Sequence, residues 1–336
     1  MIQSQKTRSL IASAATHTFL LIGAAIMVFP FIWMVLTSLK SPDEVLDNTI
    51  LIPREKPYIV HIDPVFKNKE EVAVQLVSKS VENVKPDDMV TVRIIGGGEK
   101  QVKHKDVIYR RFVWKNYTKA WNRIEPSFAV YFWNSFLIAV IGTVGVLFTS
   151  LLAAYAFAFF KFPGKDFIFT LFLGTMMVPA QVLLIPNFLT LKGLRWYDTY
   201  WGLVVPWLAG VFGIFLLRQF FLSMPRELYD AAIVDGCSKT QFLFKILLPL
   251  SKPPLVTLGI FAFLGSWNSL LWPLIVTESA DMRTIQVALN IFNQAEGTNW
   301  ELLMAASTFC QLPLIVAYFL AQRQFIQGIA RTGLKG

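Results

Sequence analysis

Six apolar runs, each about 20 residues or longer and almost free of charge, limit what this chain can fold into more than any other feature. They lie at about 16–38, 132–160, 167–190, 199–222, 254–277 and 302–322, and Arg218 is the only Asp, Glu, Lys or Arg in any of them. A helix of that length crosses roughly 30 Å of hydrocarbon, and one such charge at its centre would cost about 2.5–3.5 kcal/mol on insertion scales. In a soluble domain of 336 residues the apolar side chains, 54% here, would instead recur at helix or strand period. The expected fold class is an all-α polytopic membrane protein with six transmembrane helices and a small β-rich insert. The first run is too long for a signal peptide and has no small-residue cleavage pattern after it, so it is read as an uncleaved span.

Lys and Arg in the short loops set the orientation. One side carries Lys6, Arg8, Lys161, Lys165, Arg218, Arg226, Lys239, Lys245, Lys252, Arg323, Arg331 and Lys335, whereas the other holds only Lys192, Arg195 and Arg283. The positive-inside rule then places both termini in the cytoplasm and absorbs most of the net charge of +9. No basic run is interleaved with base-stacking aromatics, which argues against a nucleic-acid partner. Cys237 and Cys310 fall in a loop and in a span, an unpromising pair for a disulfide.

Three regions follow: 1–42, the N-terminus and first span; 43–120, an extracytoplasmic insert; and 121–336, a five-helix membrane core. In the insert, "EEVAVQLVSKSV" and "DDMVTVRIIGGGEKQVKHKDVIYRRFVW" alternate apolar and polar residues, with turn signals at "VKPDD" and "IGGGEK". Strands are expected near 57–62, 72–78, 89–95 and 106–113, a long irregular loop being the alternative. His61 and His104 have no ligand cluster around them, so no metal site is expected. Asn116-Tyr117-Thr118 matches a glycosylation sequon, which matters only in a eukaryotic secretory route.

Catalytic motifs are missing. "GIARTGLKG" has the glycine spacing of a P-loop, but Leu334 stands where the lysine belongs. With no ionisable pair at membrane depth there is no evident proton or sodium relay, so energy for uphill transport would have to come from another subunit.

Between the fourth and fifth runs lies "DAAIVDGCSKTQFLFKILLP", Asp230 to Pro249. Pro225 and Glu227 suit a helix start, Gly236 supplies a left-handed turn, and Ser238 with Gln241 spells a capping box for a second helix that Pro249 is expected to break. The helix pair at 225–249 is too apolar for a mere connection and is read as a docking knob.

"DAAIVDG", nine residues and "ILLP" resemble the EAA loop of permeases in binding-protein-dependent ABC importers. Ala231, Ala232, Gly236, Ile246, Leu248 and Pro249 match at the family's spacing, with Asp230 in place of its usual glutamate. "SWNSLLWPLIVT", "MVPAQVLLIPNF" and the tail "QRQFIQGIARTGLKG" resemble the maltose-type branch of carbohydrate-uptake permeases. The resemblance spans the first run and about 115–336 but leaves out the β-rich insert, which departs from the branch's short first loop.

It implies a non-catalytic permease subunit of an ATP-driven sugar importer in a bacterial or archaeal cytoplasmic membrane. The implied partners are a homologous second permease, an ABC ATPase dimer that holds ATP and magnesium, an extracytoplasmic solute-binding protein, the sugar and membrane lipid. No cofactor is bound by the chain itself. Asp230, Ala231, Ala232, Asp235, Gly236, Ile246, Leu248 and Pro249 would form the ATPase-coupling surface, and "RTGLKG" is a further contact. Gln181, Asn187, Ser266, Asn268, Ser269 and Gln311 are the polar candidates for a translocation path, interhelical hydrogen bonding being the plainer reading for most of them. Trp267 and Trp272 are candidates for stacking on a sugar ring, with interfacial anchoring as the equal alternative. An ion-coupled carrier of a small polar solute is the runner-up, and a receptor built around the insert is a third reading.

Overall fold

The computed structural model describes residues 2–46, 51–54, 56–62, 69–76, 87–94, 98–296 and 299–333. It divides into two units, one made of residues 1–122 and 293–309 and the other of 123–292 and 310–336.

In the first unit, α1 (Ile2–Ser38) contains Pro30, and residues 12–33 are exposed on every side. The insert follows as five antiparallel strands: β1 (Lys56–Ile62), β2 (Lys69–Leu76), β3 (Met89–Ile94), β4 (Glu99–Lys103) and β5 (Val107–Arg110), ordered β4-β3-β2-β1-β5. Alternation puts Val90 and Val92 inside with Ile59, Val74 and Val107, while Met89 and Arg93 face out. The expectation of four strands misses β4. Its sequence, "EKQVK", has one apolar residue, the half-buried Val102, so period-2 patterning is invisible there.

Strands β4 and β5 lie at opposite edges, roughly 19 Å apart in a flat five-stranded sheet. Only the turn His104–Asp106 joins them, a link that reaches at most about 14 Å. The sheet therefore curls towards a small barrel.

The insert returns into α2 (Lys115–Asn122). There the buried Asn116 side chain donates to the carbonyls of Ser38 and Lys40, both at 2.8 Å, satisfying groups left open at the end of α1. The Val113 N–H donates to the Leu39 carbonyl beside them. With both amide hydrogens committed inside the protein, Asn116 offers no glycosylation acceptor.

The second unit is helical: α3 (Phe128–Phe159), α4 (Lys165–Thr175), α5 (Leu184–Gly193), α6 (Val211–Leu222), α7 (Arg226–Val234), α8 (Lys252–Trp267) and α9 (Leu271–Val276). Then α10 (Ile285–Glu296) and α11 (Trp300–Gly333, with Pro313 inside) complete the chain. The six apolar runs are all present as helix, but three of them are broken. The third turns by 92° between Thr175 and Ala180, next to Pro179. The fourth passes through Val205–Trp207 and an extended Gly210, and the fifth stops at Trp267 and resumes at Leu271.

Lipid supplies no hydrophobic drive between helices, so close packing must hold them together. Leu151, Ala154, Leu217, Phe221 and Leu258 form the buried seam of α3, α6 and α8. Gly213 sits where an added Cβ would collide with Ser150 Oγ and Leu258, which is why α6 carries no side chain there. Arg218, the one charge in a run, is accounted for at the end of α6. Its guanidinium lies 4.0 Å over the Phe169 ring, donates through Nε to the Phe157 carbonyl and stands 3.8 Å from Asp166.

Candidate functional site

Helix α7 starts after Pro225, and its far end is a turn of defined geometry. The Cys237 N–H donates to the Ala232 carbonyl and the Gly236 N–H to that of Ile233, while Gly236 takes φ +82°. That is the Schellman arrangement, and no neighbour lies within 4 Å of an added Cβ at Gly236. Glycine is required there by conformation, not by space. Two residues on, Ser238 Oγ accepts the Gln241 N–H at 3.2 Å and Gln241 Oε1 accepts the Ser238 N–H at 3.0 Å, so both halves of the capping box form.

The second helix differs from expectation at Pro249, which does not end it. The segment runs as α-helix at Lys239–Gln241, widens to π-helix at Phe242–Leu247 and continues through Pro249 to Leu250. In an α-helix the Pro249 ring would press on the Lys245 carbonyl and leave it unbonded, and a π turn relaxes that spacing. The break falls at Ser251, where the chain bends by 80°. Pro253 and Pro254 fit only the first turn of a new helix, α8.

Of the residues singled out for coupling, Asp230, Ala231, Asp235, Gly236 and Pro249 are exposed, Ile246 and Leu248 half-buried, and Ala232 buried. The outward surface also bears Leu228, Ile233, Val234 and Phe244, Val234 being 87% exposed. Leu228 and Phe244 belong to the apolar pattern of the two helices, and Ile233 and Val234 extend that face beyond it. The inner surface grips the end of α3: Phe242 packs at 4.9 Å against Tyr229 and at 5.4 Å against Phe159, and the Tyr155 hydroxyl donates to the Lys239 carbonyl at 3.0 Å. The "RTGLKG" contact runs into 334–336, outside the described residues.

A second feature lies within the same unit, a cavity of about 430 Å³. It forms where the runs break: Gln181 follows the 92° bend, Gly210 marks the break in the fourth run, and Ser266 and Ser269 flank the gap between α8 and α9. Discontinuous helices are where membrane transporters expose backbone and polar groups to a cargo. Of the path candidates, Gln181, Ser266 and Ser269 line this cavity. Asn187, Asn268 and Gln311 do not, and Asn268 instead meets Gln286.

Ser135, Thr284, Trp207 and Trp272 join the lining, and among the described residues no charged side chain does. The Thr284 hydroxyl is buried behind the wall and has no hydrogen-bond partner. Trp267 is removed from consideration as a sugar platform, since it is 1% exposed and donates to the Cys310 carbonyl. Among the described residues no three His, Cys, Asp or Glu side chains gather as a metal site.

A helical bundle with broken spans, a polar-studded cavity and a capped, apolar-faced helix pair has the build of a membrane transport component. Residues 145–331 match the family of binding-protein-dependent transport system inner membrane components. The chain belongs to that family and is a multi-pass permease. It is 37% identical over 221 residues to the arabinooligosaccharides transport system permease protein AraQ of Bacillus subtilis, covering 66% of this chain and 78% of that one. The sn-glycerol-3-phosphate transport system permease protein UgpE of Yersinia enterocolitica is 35% identical over 224 residues, 65% of this chain and 79% of that one.

Among solved structures, a chain of a bacterial ABC transporter involved in the import of the acidic polysaccharide alginate superposes with a TM-score of 0.66 at 20% identity. The match covers 93% of this chain and 96% of that one.

Proposed function

We propose that the chain is one permease of an ATP-driven importer and that its translocation surface takes an uncharged sugar. The observation that carries the reading is the helix pair. A Schellman turn and a complete capping box fix two short helices whose outward face joins Asp230 to exposed Ile233, Val234 and Phe244. A knob of this kind fits a groove on a cytoplasmic ATPase, and closure of an ATPase dimer around ATP and magnesium would displace it. Displacement shifts the bundle between two access states, as a partner biases any two-state element.

Residues 19–33 of α1 are apolar and exposed all round, a surface suited to a second permease. The excess of Lys and Arg in one set of loops supports a cytoplasmic helix pair and cytoplasmic termini, and a bacterial or archaeal membrane is the setting proposed. A solute-binding protein would deliver cargo from the opposite side. The named relatives handle both neutral and anionic cargo, and the charge-free cavity favours the neutral kind. Gln181, Ser266 and Ser269 offer it donors and acceptors.

The test is Gly236→Pro. The left-handed φ and the Gly236 N–H donor are both denied to proline, so the turn is lost while the spans are untouched. Uptake of labelled neutral oligosaccharide and stimulation of ATP hydrolysis should both fall at least about tenfold with normal membrane abundance. Undiminished uptake would reject the assignment.

A further inference from the structure

Helix α3 links the two ends of its unit without interruption. Its 32 residues extend about 48 Å, farther than the roughly 30 Å of hydrocarbon. Among the described residues it is the one run of the six with neither a break nor a proline. At one end Tyr155 and Phe159 hold the helix pair, by the bond to the Lys239 carbonyl and the ring contacts with Tyr229 and Phe242. At the other end Asn134, 2% exposed, donates to the carbonyls of Asp281 at 2.6 Å and Arg283 at 3.0 Å. Its oxygen accepts the Tyr200 hydroxyl at 2.6 Å, and Ser135 Oγ next to it accepts the Ile285 N–H at 2.8 Å. Every hydrogen-bonding atom of the Asn134 amide is thus committed, and the loop 281–285 is fastened to α3 by three bonds. The cavity opens along the same helix, from Ser135 at the far attachment through Ile138 and Gly142 to Val146.

We propose that α3 is a strut that converts displacement of the helix pair into movement of the loop 281–285 at the opposite end, with Asn134 as the positioning residue there. Flexible or broken helices absorb displacement, whereas an unbroken one carries it as a rigid body. The proposal rests on the importer reading and adds a route for its conformational change. It also explains why the loop is held by side chains from α3, 147–150 positions away in sequence.

The experiment places a thiol at the exposed loop position, Asp281→Cys, in a Cys237→Ser background. A membrane-impermeant maleimide then reads its accessibility in membranes that carry the assembled importer, with and without ATP. The parent should change its labelling rate by about fivefold or more, a response to a shift in population between two states. Tyr155→Phe removes one hydroxyl and keeps the ring, and Asn134→Asp removes the two amide donors and keeps an acceptor for Tyr200. Each should cut the ATP response below about twofold at unchanged membrane abundance, and Tyr155→Phe should leave the thermal unfolding midpoint within about 4 °C of the parent. Should Asn134→Asp reduce insertion, Ser135→Ala severs the bond to Ile285 and is expected to give the same loss.

Variants that keep the parent's full response overturn the strut. So does a parent that imports solute with no ATP-dependent change at position 281, an outcome that leaves the importer assignment standing. Failure of that assignment would show separately, as unimpaired uptake in Gly236→Pro.

Discussion

Asp198 shows how one side chain can hold a loop where no sequence pattern marks it. It takes φ +55°, its N–H donates to the Val276 carbonyl, and its carboxylate accepts the N–H groups of Glu278 at 2.9 Å and Ser279 at 3.2 Å. Burial alone would raise its pKa, but the Glu278 and Ser279 donors, aided by the Arg283 charge, outweigh burial and hold it below the ordinary value. A lowered folded pKa means stability that is complete above the unfolded value of about 3.9 and is lost as pH falls through the folded one. Asp198→Asn keeps an acceptor and tolerates positive φ but carries no charge. Thermal unfolding in detergent should show the variant about 1 kcal/mol less stable at neutral pH, with the difference vanishing under acid. A constant difference down to about pH 2 would contradict this account. Gly236 and the Ser238–Gln241 box were legible in the sequence because their partners lie within five residues. Asp198 was not, because its partners lie 80 and 81 positions away.

At the scale of elements, hydropathy identified the six membrane runs, and Pro179, Pro206 and Gly210 were legible as helix-distorting residues within them, but the size and direction of the breaks were not. A run such as 167–190 is counted by its apolar residues, and that count is blind to the direction the backbone takes at Pro179. Pro249 shows the converse error, since a proline reads as a stop until a π turn accommodates it. Close approach is equally silent. Gly213 and Gly174 look alike in sequence, yet a Cβ at Gly213 would strike Ser150 and Leu258, whereas Gly174 has nothing within 4 Å. Gly213→Val should therefore cost about 1–3 kcal/mol through overpacking of α3, α6 and α8, and Gly174→Val less than about 1 kcal/mol from that source. Unfolding midpoints of the two purified variants compare them directly. Equal losses would show that helix propensity, and not the seam, decides the effect.

For the molecule as a whole, the absence of charge was the legible part, and the arrangement of polar groups was not. Six polar candidates could be named from the runs, but only the breaks decide which of them meet. Gln181, Ser266 and Ser269 are brought to one cavity, while Asn187, Asn268 and Gln311 fall elsewhere. A neutral wall suits a cargo whose hydroxyls exchange hydrogen bonds with water for bonds to amide and hydroxyl groups. An ionised side chain in the same place must be desolvated, at a cost of about 2.5–3.5 kcal/mol or more, and would hold water against the cargo. Gln181→Glu changes little but charge, so it separates chemistry from shape. If cargo passes along this wall, uptake of neutral oligosaccharide should fall at least about tenfold, and Ser266→Ala, which removes one hydroxyl, only about two- to fivefold. Membrane abundance and basal ATP hydrolysis should stay within about twofold for both, because neither residue touches the helix pair. Transport by Gln181→Glu at the parent rate would place the path away from this cavity. A loss that appears together with collapsed ATP hydrolysis would mean that the bend beside Pro179 serves the coupling motion and not the cargo.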